Sequence, residues 1–397
     1  MTDAFDRFLA ESEGAECVGY FEERPRSAQG PGQALYYTSA AKVVSVTAKT
    51  FPRDLDRALT NSLDRRAAAV GYLSFEATGL FEPLLARVPA PSPFPLGEFA
   101  LVSEPRTERL ARRSFPPENL GGREQLLATP TEDSLPRPRF LREVVRLQDA
   151  IRRGDAFQVV LAHRRSWPRP DDLLLRARRL RHRELYRYFF YLRFGDREIL
   201  GASPESVLTL DGATARLHPI AGTLPRPRGR RLRLSEDPKE LAEHRMLVDL
   251  ARNDLGRISR PGSVRVAVRE RIERFARLEH LVSEVVGTLR TGVGPFEALG
   301  AAFPAGTVSG APKIRATQLL QRSERTWRGP YAGAVGYLRA GGHAHWALPI
   351  RTAFARGRTL YTAAGAGIVH RSQAGREWTE TLVKLAELER QLVGVAR

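Results

Sequence analysis

The chain has 397 residues, of which 42% are hydrophobic, so it is long enough for one large core or for two domains. It has no apolar run of about 18 residues and no basic leader followed by an apolar segment, which argues against a membrane span and a secretory signal. Its single cysteine, Cys17, cannot form an intrachain disulfide, and we therefore expect a cytoplasmic protein.

The formal net charge of +18 raises the question of nucleic-acid binding. The basic residues are scattered in pairs such as Arg112 and Arg113, without a basic tail or interleaved aromatic residues, so we expect no nucleic-acid partner. A basic field would instead suit a small polyanionic substrate. Because arginine dominates the basic residues, each lysine indicates a position where a compact ammonium group is useful; Lys239, Lys313 and Lys384 lie in motif-like segments.

Residues 1–128 predict an α+β region of short elements, with helical spacing at Asp54–Leu63. Short strands are predicted at Val43–Val46, Ala68–Leu73 and Phe99–Val102. Residues 129–139 are rich in proline and polar residues, and we interpret them as a linker to a catalytic domain at 140–397.

The second region contains longer elements in irregular order. Helices are predicted at Phe140–Arg153, from an N-cap at Ser235 to about Asp254, and after Gly375. Strands are predicted at Ala156–Leu161, Tyr188–Phe194, Ser206–Leu210, Tyr331–Leu338, Trp346–Ala353 and Leu360–Ala364, and a loop at Leu224–Arg231. The absence of regular βαβ units favours an α+β fold.

Two pairs of glutamates lie on predicted helix faces. Glu377 and Glu380 are three residues apart in the last helix, and Glu240 and Glu243 repeat that spacing in the Ser235 helix. Mg²⁺ prefers oxygen ligands and often takes only one or two carboxylates together with substrate oxygens. A solvated helix face explains either pair equally well, and both interpretations stay open at this point.

Other segments offer groups that bind anions or carry protons. Gly365 and Gly367 predict a loop whose backbone N–H groups an anion can approach closely. Thr307 lies in a Gly/Ser/Thr-rich loop that enters a helix at Pro312, which suits a carboxylate or carbonyl oxygen, although an ordinary capped loop is the alternative.

His280 and Arg351 are further candidates. A histidine is the natural proton donor near neutral pH, and the alternative for His280 is a structural hydrogen bond. Arg351 lies in a strand-like run and offers a guanidinium fork for a carboxylate. None of these groups alone identifies a reaction.

The second region also carries an ordered series of short motifs. They are Gly-Asp-Ala-Phe-Gln-Val-Val-Leu (154–161), Gly-Ala-Ser-Pro-Glu-Ser (201–206), Pro-Ile-Ala-Gly-Thr (219–223), Asp-Pro-Lys-Glu-Leu-Ala-Glu-His (237–244), Leu-Val-Asp-Leu-Ala-Arg-Asn-Asp-Leu (247–255), His-Leu-Val-Ser (280–283), Phe-Pro-Ala-Gly-Thr-Val-Ser-Gly-Ala-Pro-Lys (303–313), Gly-Pro-Tyr-Ala-Gly-Ala-Val-Gly-Tyr (329–337), Ile-Arg-Thr (350–352) and Gly-Ala-Gly-Ile-Val (365–369). This series resembles the chorismate-utilising enzymes, above all the large-subunit (component I) branch of the anthranilate synthases. The resemblance implies large antiparallel sheets packed as a sandwich with helices on the outside.

The resemblance also implies a Mg²⁺ site. Glu243 and Glu380 match the Mg²⁺ ligands of the family, and Glu240 and Glu377 match neighbouring ligands that act through water. Lys384 lies one turn from Glu380, and we expect it to balance the charge of this catalytic site.

Further matching positions imply a site for chorismate, which is a dianion. Arg351, Tyr331 and three backbone positions match the groups that hold its carboxylates. The backbone positions are Gly365, Ala366 and Gly367. Contacts to the ring and its substituents are implied for Gly222, Thr223 and Thr307. His280 matches the histidine that assists departure of the C4 hydroxyl.

The implied activity is that of a Mg²⁺-dependent carbon–oxygen lyase of tryptophan biosynthesis. Ammonia adds at C2 of chorismate as the C4 hydroxyl leaves, and loss of the C2 proton and of pyruvate gives anthranilate. Gln158 replaces the lysine with which isochorismate and salicylate synthases activate water, and Ala221 replaces a lysine of many aminodeoxychorismate synthases. Because some aminodeoxychorismate synthases also lack that lysine, component I of such an enzyme, in the pathway to 4-aminobenzoate and folate, is the alternative.

Partners follow from what the sequence does not resemble. No segment resembles a glutamine amidotransferase, so we expect a separate subunit to supply ammonia within a hetero-oligomer.

Thr379 departs from the last acidic motif, in which the family usually has a glutamate. Residues 184–189 depart from the usual feedback segment, which leaves inhibition by tryptophan open.

Overall fold

Two antiparallel sheets form the protein. The computed structural model describes residues 3–24, 31–49, 56–57, 66–86, 90–111, 129–171, 173–183, 186–225, 236–275 and 278–393. The strands of these residues are β1 (Cys17–Glu23), β2 (Gly32–Tyr37), β3 (Lys42–Val46), β4 (Ala68–Leu73), β5 (Gly97–Val102), β6 (Arg106–Leu110), β7 (Glu132–Asp133), β8 (Gln158–Pro168), β9 (Tyr188–Phe194), β10 (Arg197–Ser203), β11 (Ser206–Asp211), β12 (Thr214–Leu217), β13 (Ile220–Pro225), β14 (Arg265–Phe275), β15 (Leu278–Thr288), β16 (Gly310–Ala311), β17 (Ala334–Arg339), β18 (His343–Ala347), β19 (Thr352–Arg356) and β20 (Thr359–Ile368).

The strand order explains how the sheets are built. The first sheet runs β16-β8-β20-β19-β10-β9-β1-β2-β6, with β7 paired to β8. The second runs β13-β15-β12-β11-β18-β17-β4-β5-β3, with β14 paired to β15. The prediction of an α+β fold with large antiparallel sheets is confirmed.

Helices cover these sheets. Those of the described residues are α1 (Ala4–Glu11), α2 (Thr78–Phe81), α3 (Arg137–Arg152), α4 (Leu173–Arg183), α5 (Pro238–Gly256), α6 (Pro295–Ala302), α7 (Gly306–Ser309), α8 (Lys313–Glu324) and α9 (Ala374–Leu392), with short 3₁₀ helices at Phe75–Ala77, Pro83–Leu85 and Ala340–Gly342. In the described part of the chain, no helix combines the length and apolarity that crossing a bilayer requires.

The burial pattern of β9 shows where the cores lie. Successive side chains of a strand point to opposite faces of its sheet. Phe190 and Leu192 enter the main core, which lies between the sheets, whereas Phe189 and Tyr191 enter a second core together with side chains of α1 and α4. This two-sided burial explains why the segment reads as an almost continuous apolar run.

Several predicted elements agree closely with the structure. The strands predicted at Ala68–Leu73 and Tyr188–Phe194 are β4 and β9 with the same bounds. The helix predicted at Asp54–Leu63 lies outside the described residues except for 56–57, and the predicted loop at 224–231 lies outside them after Pro225.

Two predictions near the site are wrong. The strand predicted at Trp346–Ala353 is interrupted, because β18 ends at Ala347 and β19 begins at Thr352. Between them, Pro349 has no backbone N–H to donate, and Arg351 has a φ of 50°, which is incompatible with a strand. The glycines at 365 and 367 do not form a loop, because both lie inside β20.

The sheets are continuous across the predicted linker. β1 pairs with β9, and β4 pairs with β17, so each sheet combines strands from before residue 129 with strands from after residue 140. Within the predicted linker, Glu132–Asp133 forms β7 and pairs with β8. The division into two regions stays a prediction from the sequence, but it does not separate the sheets.

Candidate active site

One cavity of about 310 Å³ brings together most of the predicted site residues. Its lining consists of Gln158, Val160, Pro204, Glu205, Ile220, Glu243, Leu247, His280, Thr307, Val308, Tyr331, Ile350, Arg351, Ala363, Ala364, Gly365 and Lys384. These residues come from β8 and β20 of the first sheet, from β13 and β15 of the second sheet, and from α5, α7 and α9. Residues that are far apart in the sequence therefore meet in one space.

The break between β18 and β19 forms the part of the cavity wall where Arg351 lies. Arg351 lies in this break, in the left-handed region of backbone conformation that non-glycine residues rarely adopt. Such conformations persist where the surrounding structure imposes them, and they cluster at functional sites. The break therefore places the Arg351 guanidinium at the cavity instead of along a sheet face.

The same break leaves one edge of β20 open. The register of β19 with β20 ends at Thr362, whereas β8 accompanies β20 as far as Ile368. The backbone from Ala363 to Gly365 therefore lines the cavity along the edge that β19 does not cover. The predicted role of this backbone as an anion contact does not need a loop, because a strand edge also presents N–H groups.

Tyr331 adds a neutral hydrogen-bond donor beside this edge. Burial raises the pKa of its hydroxyl to about 12, although the nearby Arg328 guanidinium and a hydrogen bond from the Gly365 N–H oppose the rise. The hydroxyl therefore keeps its proton at neutral pH. It is only 4% exposed, and it can donate to a substrate oxygen from a fixed position.

Glu205 is the functional candidate that the sequence interpretation missed. It lies between β10 and β11 and accepts a hydrogen bond from the Thr307 hydroxyl at 2.7 Å. Burial raises the pKa of its carboxyl to about 7, and the hydrogen bond from Thr307 opposes this rise only in part. A carboxyl with this pKa can both give and take a proton at neutral pH.

A signal for Glu205 was present in the sequence. It is the acidic residue of the motif at 201–206, where it follows Pro204 at the junction of two strands. The sequence interpretation assigned the proton to His280. That side chain also lines the cavity and is 8% exposed, so both groups are available to a bound substrate.

Of the two predicted Mg²⁺ ligands, Glu243 lines the cavity and Glu380 lies outside its lining. Glu243 lines the cavity and accepts a hydrogen bond from the Gln158 amide at 3.2 Å. Glu380 is half-exposed and forms an ion pair of 2.7 Å with Lys384, whose ammonium also donates to the Gly365 carbonyl at 2.9 Å. Lys384 therefore connects the carboxylate of α9 to the strand edge that lines the cavity.

The other predicted residues lie on elements that also carry residues of the cavity wall. Glu240 and Glu377 are partly buried on α5 and α9 and do not line the cavity. Ala366 and Gly367 follow Gly365 in β20. Gly222 and Thr223 lie in β13, where Thr223 is opposite His280, but the Thr223 side chain lies outside the described structure.

The chemistry of the donors fits a hard cation. Glu243 and Glu380 supply carboxylate oxygens, which Mg²⁺ prefers. Among the described residues, no group of three or more histidine, cysteine, aspartate or glutamate side chains could hold a metal ion by itself. A cation here would therefore need oxygen atoms from a substrate or from water to complete its coordination.

A buried ion pair supports the wall that carries Thr307. The Lys313 ammonium donates to Asp254 at 2.8 Å and to the Ala301 carbonyl at 3.3 Å. These bonds connect the first turn of α8 to α5 and α6. Lysine suits this position because one compact ammonium group donates in two directions.

The family of the protein follows from comparison with known sequences. Residues 20–390 match the model of the chorismate binding enzyme family. The chain belongs to this family, so the resemblance expected from its motifs is confirmed, as is the prediction that it is an enzyme.

Two individual relatives show which members of the family the chain is similar to. The chain is 43% identical to anthranilate synthase component 1 of Geobacillus stearothermophilus over 297 residues, which cover 73% of this chain and 57% of that protein. It is also 43% identical to 2-amino-4-deoxychorismate synthase of Streptomyces globisporus over 264 residues, which cover 64% of this chain and 53% of that protein. The chain thus spans little more than half the length of these two relatives.

A solved structure matches over a larger share. The crystal structure of anthranilate synthase component I from Streptococcus pneumoniae TIGR4 superposes with a TM-score of 0.77 at 31% sequence identity. The match covers 91% of this chain and 92% of that chain. The arrangement of the two sheets is therefore that of a component I structure.

Proposed function

We propose that the protein is the large subunit of an anthranilate synthase, which converts chorismate and ammonia into anthranilate, pyruvate and water. The observation that carries this proposal is the combination of an anion-binding end, formed by Arg351 and Tyr331, with a proton-carrying carboxyl, Glu205, in one cavity. Relatives named anthranilate synthase component 1 support the choice of reaction.

The substrate is held by its charges. Chorismate carries two carboxylates, and Arg351 is suited to bind one of them through paired N–H donors. The Tyr331 hydroxyl offers a further donor on the same side of the cavity. These contacts leave the reacting carbons free and hold the ring in one orientation, which removes much of the entropic barrier.

Proton transfer is assigned to the two groups at the wall of the cavity. When ammonia forms the bond to C2, both conjugated double bonds of the ring shift and the C4–O bond breaks, so the departing hydroxyl needs a proton to leave as water. Glu205 in its protonated form, or His280 as predicted from the sequence, supplies that proton. The same group in its basic form then removes the C2 proton as the bond to the enolpyruvyl oxygen breaks, which releases pyruvate and makes the ring aromatic.

Ammonia is favoured over water as the nucleophile. At position 158, where isochorismate and salicylate synthases carry the lysine that activates water, this chain carries an amide, which cannot accept a proton at neutral pH. In the described lining, the ammonium of Lys384 is engaged by the Gly365 carbonyl and by Glu380. Ammonia is itself nucleophilic and needs no such activation.

We assign the predicted Mg²⁺ to Glu243 and Glu380, with Glu240 and Glu377 as neighbours that act through water. When bound, Mg²⁺ supplies positive charge that fixes and neutralises a substrate carboxylate. Because the described residues contain no complete set of ligands, we expect chorismate to strengthen binding of the cation.

Ammonia is proposed to come from glutamine through a separate amidotransferase subunit in a hetero-oligomer, as the component designation of the relatives supports. The cytoplasmic location expected from the sequence stays a prediction.

The alternative function is formation of an aminodeoxychorismate, and the Streptomyces globisporus relative favours one form of it. The product in the name of that relative carries an amine at C2 and lacks the C4 oxygen. Its formation corresponds to the first half of the proposed reaction, without release of pyruvate. The 4-amino isomer, predicted from the sequence as the alternative, would also retain the enolpyruvyl group.

Product analysis separates these functions. The purified chain is incubated with chorismate, Mg²⁺ and an ammonium salt, and the products are identified by mass spectrometry with a coupled assay for pyruvate. We expect anthranilate and pyruvate in equal amounts. An aminodeoxychorismate without pyruvate would contradict the proposal and would support the alternative.

Calorimetry tests the metal assignment independently of turnover. We expect Mg²⁺ to bind more tightly in the presence of chorismate, and Glu243→Gln and Glu380→Gln to abolish both this binding and activity. Glu104→Gln, at an exposed carboxylate outside the cavity, is the matched control. Mg²⁺-dependent turnover retained in both site variants would refute the assignment.

A further inference from the structure

A second polar cavity, of about 400 Å³, lies between Arg187, next to β9 of the first sheet, and strands β11, β12, β15 and β18 of the second sheet. Its lining shares no residue with the candidate active site. The lining consists of Arg187, Thr209, Leu210, Asp211, Arg216, His218, Glu284, His343 and His345. This volume is in the range of small-molecule sites.

Strand register explains why polar side chains gather there. Thr209 on β11 is opposite Arg216 on β12 and opposite His345 on β18, so these three side chains form one row across neighbouring strands. The preceding residue, Leu208, points to the opposite face of the sheet and is fully buried. The row is therefore a property of the sheet and does not depend on loop conformation.

Arg187 is the charged group of this cavity that has an unused donor. It is 9% exposed, and its Nε has no hydrogen-bond partner. Its nearest carboxylate in an ion pair is that of Glu23, at 3.6 Å from Nη2, and Glu23 also lies 2.6 Å from His345 Nδ1. The guanidinium lies over the ring of Tyr188.

Other acidic groups at this cavity already face basic side chains. Glu284 pairs with Arg216 at 3.1 Å and lies 3.8 Å from His218 Nε2, and Asp211 lies 3.0 Å from His343. A buried N–H without an acceptor is unfavourable, and an occupant that supplies an acceptor removes this penalty.

We propose that this cavity binds a small oxyanion, a carboxylate or a phosphate, with Arg187 and Arg216 as its cationic contacts. Planar guanidinium groups match the geometry of both oxyanions through paired N–H donors. The imidazoles of His218, His343 and His345 add donors or positive charge around it. The site is separate from the one proposed for chorismate, and it holds whether or not the proposed reaction is correct.

Calorimetric titration with inorganic phosphate, and separately with malonate, tests the proposal at an ionic strength held constant with chloride. We expect one saturable site per chain for at least one probe, and the stronger probe identifies the source of the oxyanion. Arg187→Gln and Arg216→Gln should each weaken binding at least about tenfold. Melting curves verify that each variant is folded, and Arg216→Gln alone suffices if Arg187→Gln does not fold.

Two control variants determine which cavity is occupied. Arg187 also lines a neighbouring open cavity of about 660 Å³ that contains Arg109 but not Arg216, so Arg109→Gln should leave binding unchanged. Arg351→Gln should likewise leave it unchanged. The proposal is overturned if neither probe saturates, if Arg216→Gln binds like the wild type, or if either control variant loses the site.

Discussion

The raised pKa of Glu205 predicts a pH-dependent gain of stability in Glu205→Gln. Burial moves this pKa from 4.5 to about 7, so between these values the folded protein holds a proton that the unfolded chain has released. The free energy of unfolding of the wild type must therefore fall as pH rises through this window. At higher pH this free energy stays at the lower value. Glutamine has no such proton and can still accept the Thr307 hydrogen bond.

The magnitude follows from the shift. Each pKa unit corresponds to about 1.4 kcal/mol, so the wild type should lose about 2.5 kcal/mol relative to Glu205→Gln between about pH 5 and about pH 8. Urea denaturation of both proteins at the two pH values measures this difference. Glu104→Gln, at an exposed carboxylate, should follow the wild-type profile. A difference between Glu205→Gln and the wild type that does not change with pH would refute the assigned pKa.

Two further predictions concern the walls of the candidate active site. Gly367→Ala adds a Cβ 2.6 Å from the Gln158 amide nitrogen, which can move aside, so we expect stability within about 1 kcal/mol of the wild type. Its kcat/KM in a steady-state assay should fall about ten- to hundredfold, because the hydrogen bond from Gln158 to Glu243 is lost. The control is Gly375→Ala, whose added Cβ meets open space, and it should keep its activity in the same assay. Lys313→Met leaves Asp254 buried without its cation, and urea denaturation should show a loss of about 3–5 kcal/mol. The double variant Lys313→Met/Asp254→Leu should recover most of that loss; if it is no more stable than the single variant, the pair is not the cause.

The sequence was informative wherever a signal is local. β4 and β9 were predicted with correct bounds because alternation, or an uninterrupted apolar run between breakers, is visible in a short window. The conformation of Arg351 has no such signal, because arginine has no preference for positive φ. The break before β19 was therefore missed, and with it the reason why the edge of β20 faces the cavity.

The site depended on long-range information that only the ordered motifs could supply. Thr307 and Glu205 are about a hundred residues apart in the chain, and nothing in the spacing of either predicts their 2.7 Å hydrogen bond. The pKa of Glu205 is a property of its surroundings, so no reading of residue types could assign it. The sequence could nominate His280 as the proton carrier, but it could not weigh it against a buried carboxyl.

The pairing of β1 with β9 and of β4 with β17 has a consequence for synthesis of the chain. Each early strand has one partner nearby in the chain, β2 for β1 and β5 for β4. The second partner leaves the ribosome more than a hundred and sixty residues later in the case of β1, and more than two hundred and fifty later in the case of β4. Until then their apolar edges must be kept from pairing with other chains. A fragment that begins at residue 140 would have the opposite defect, because β9 and β17 would each present an open edge. We therefore expect such a fragment to aggregate, and a supplied peptide containing β1–β6 to rescue it.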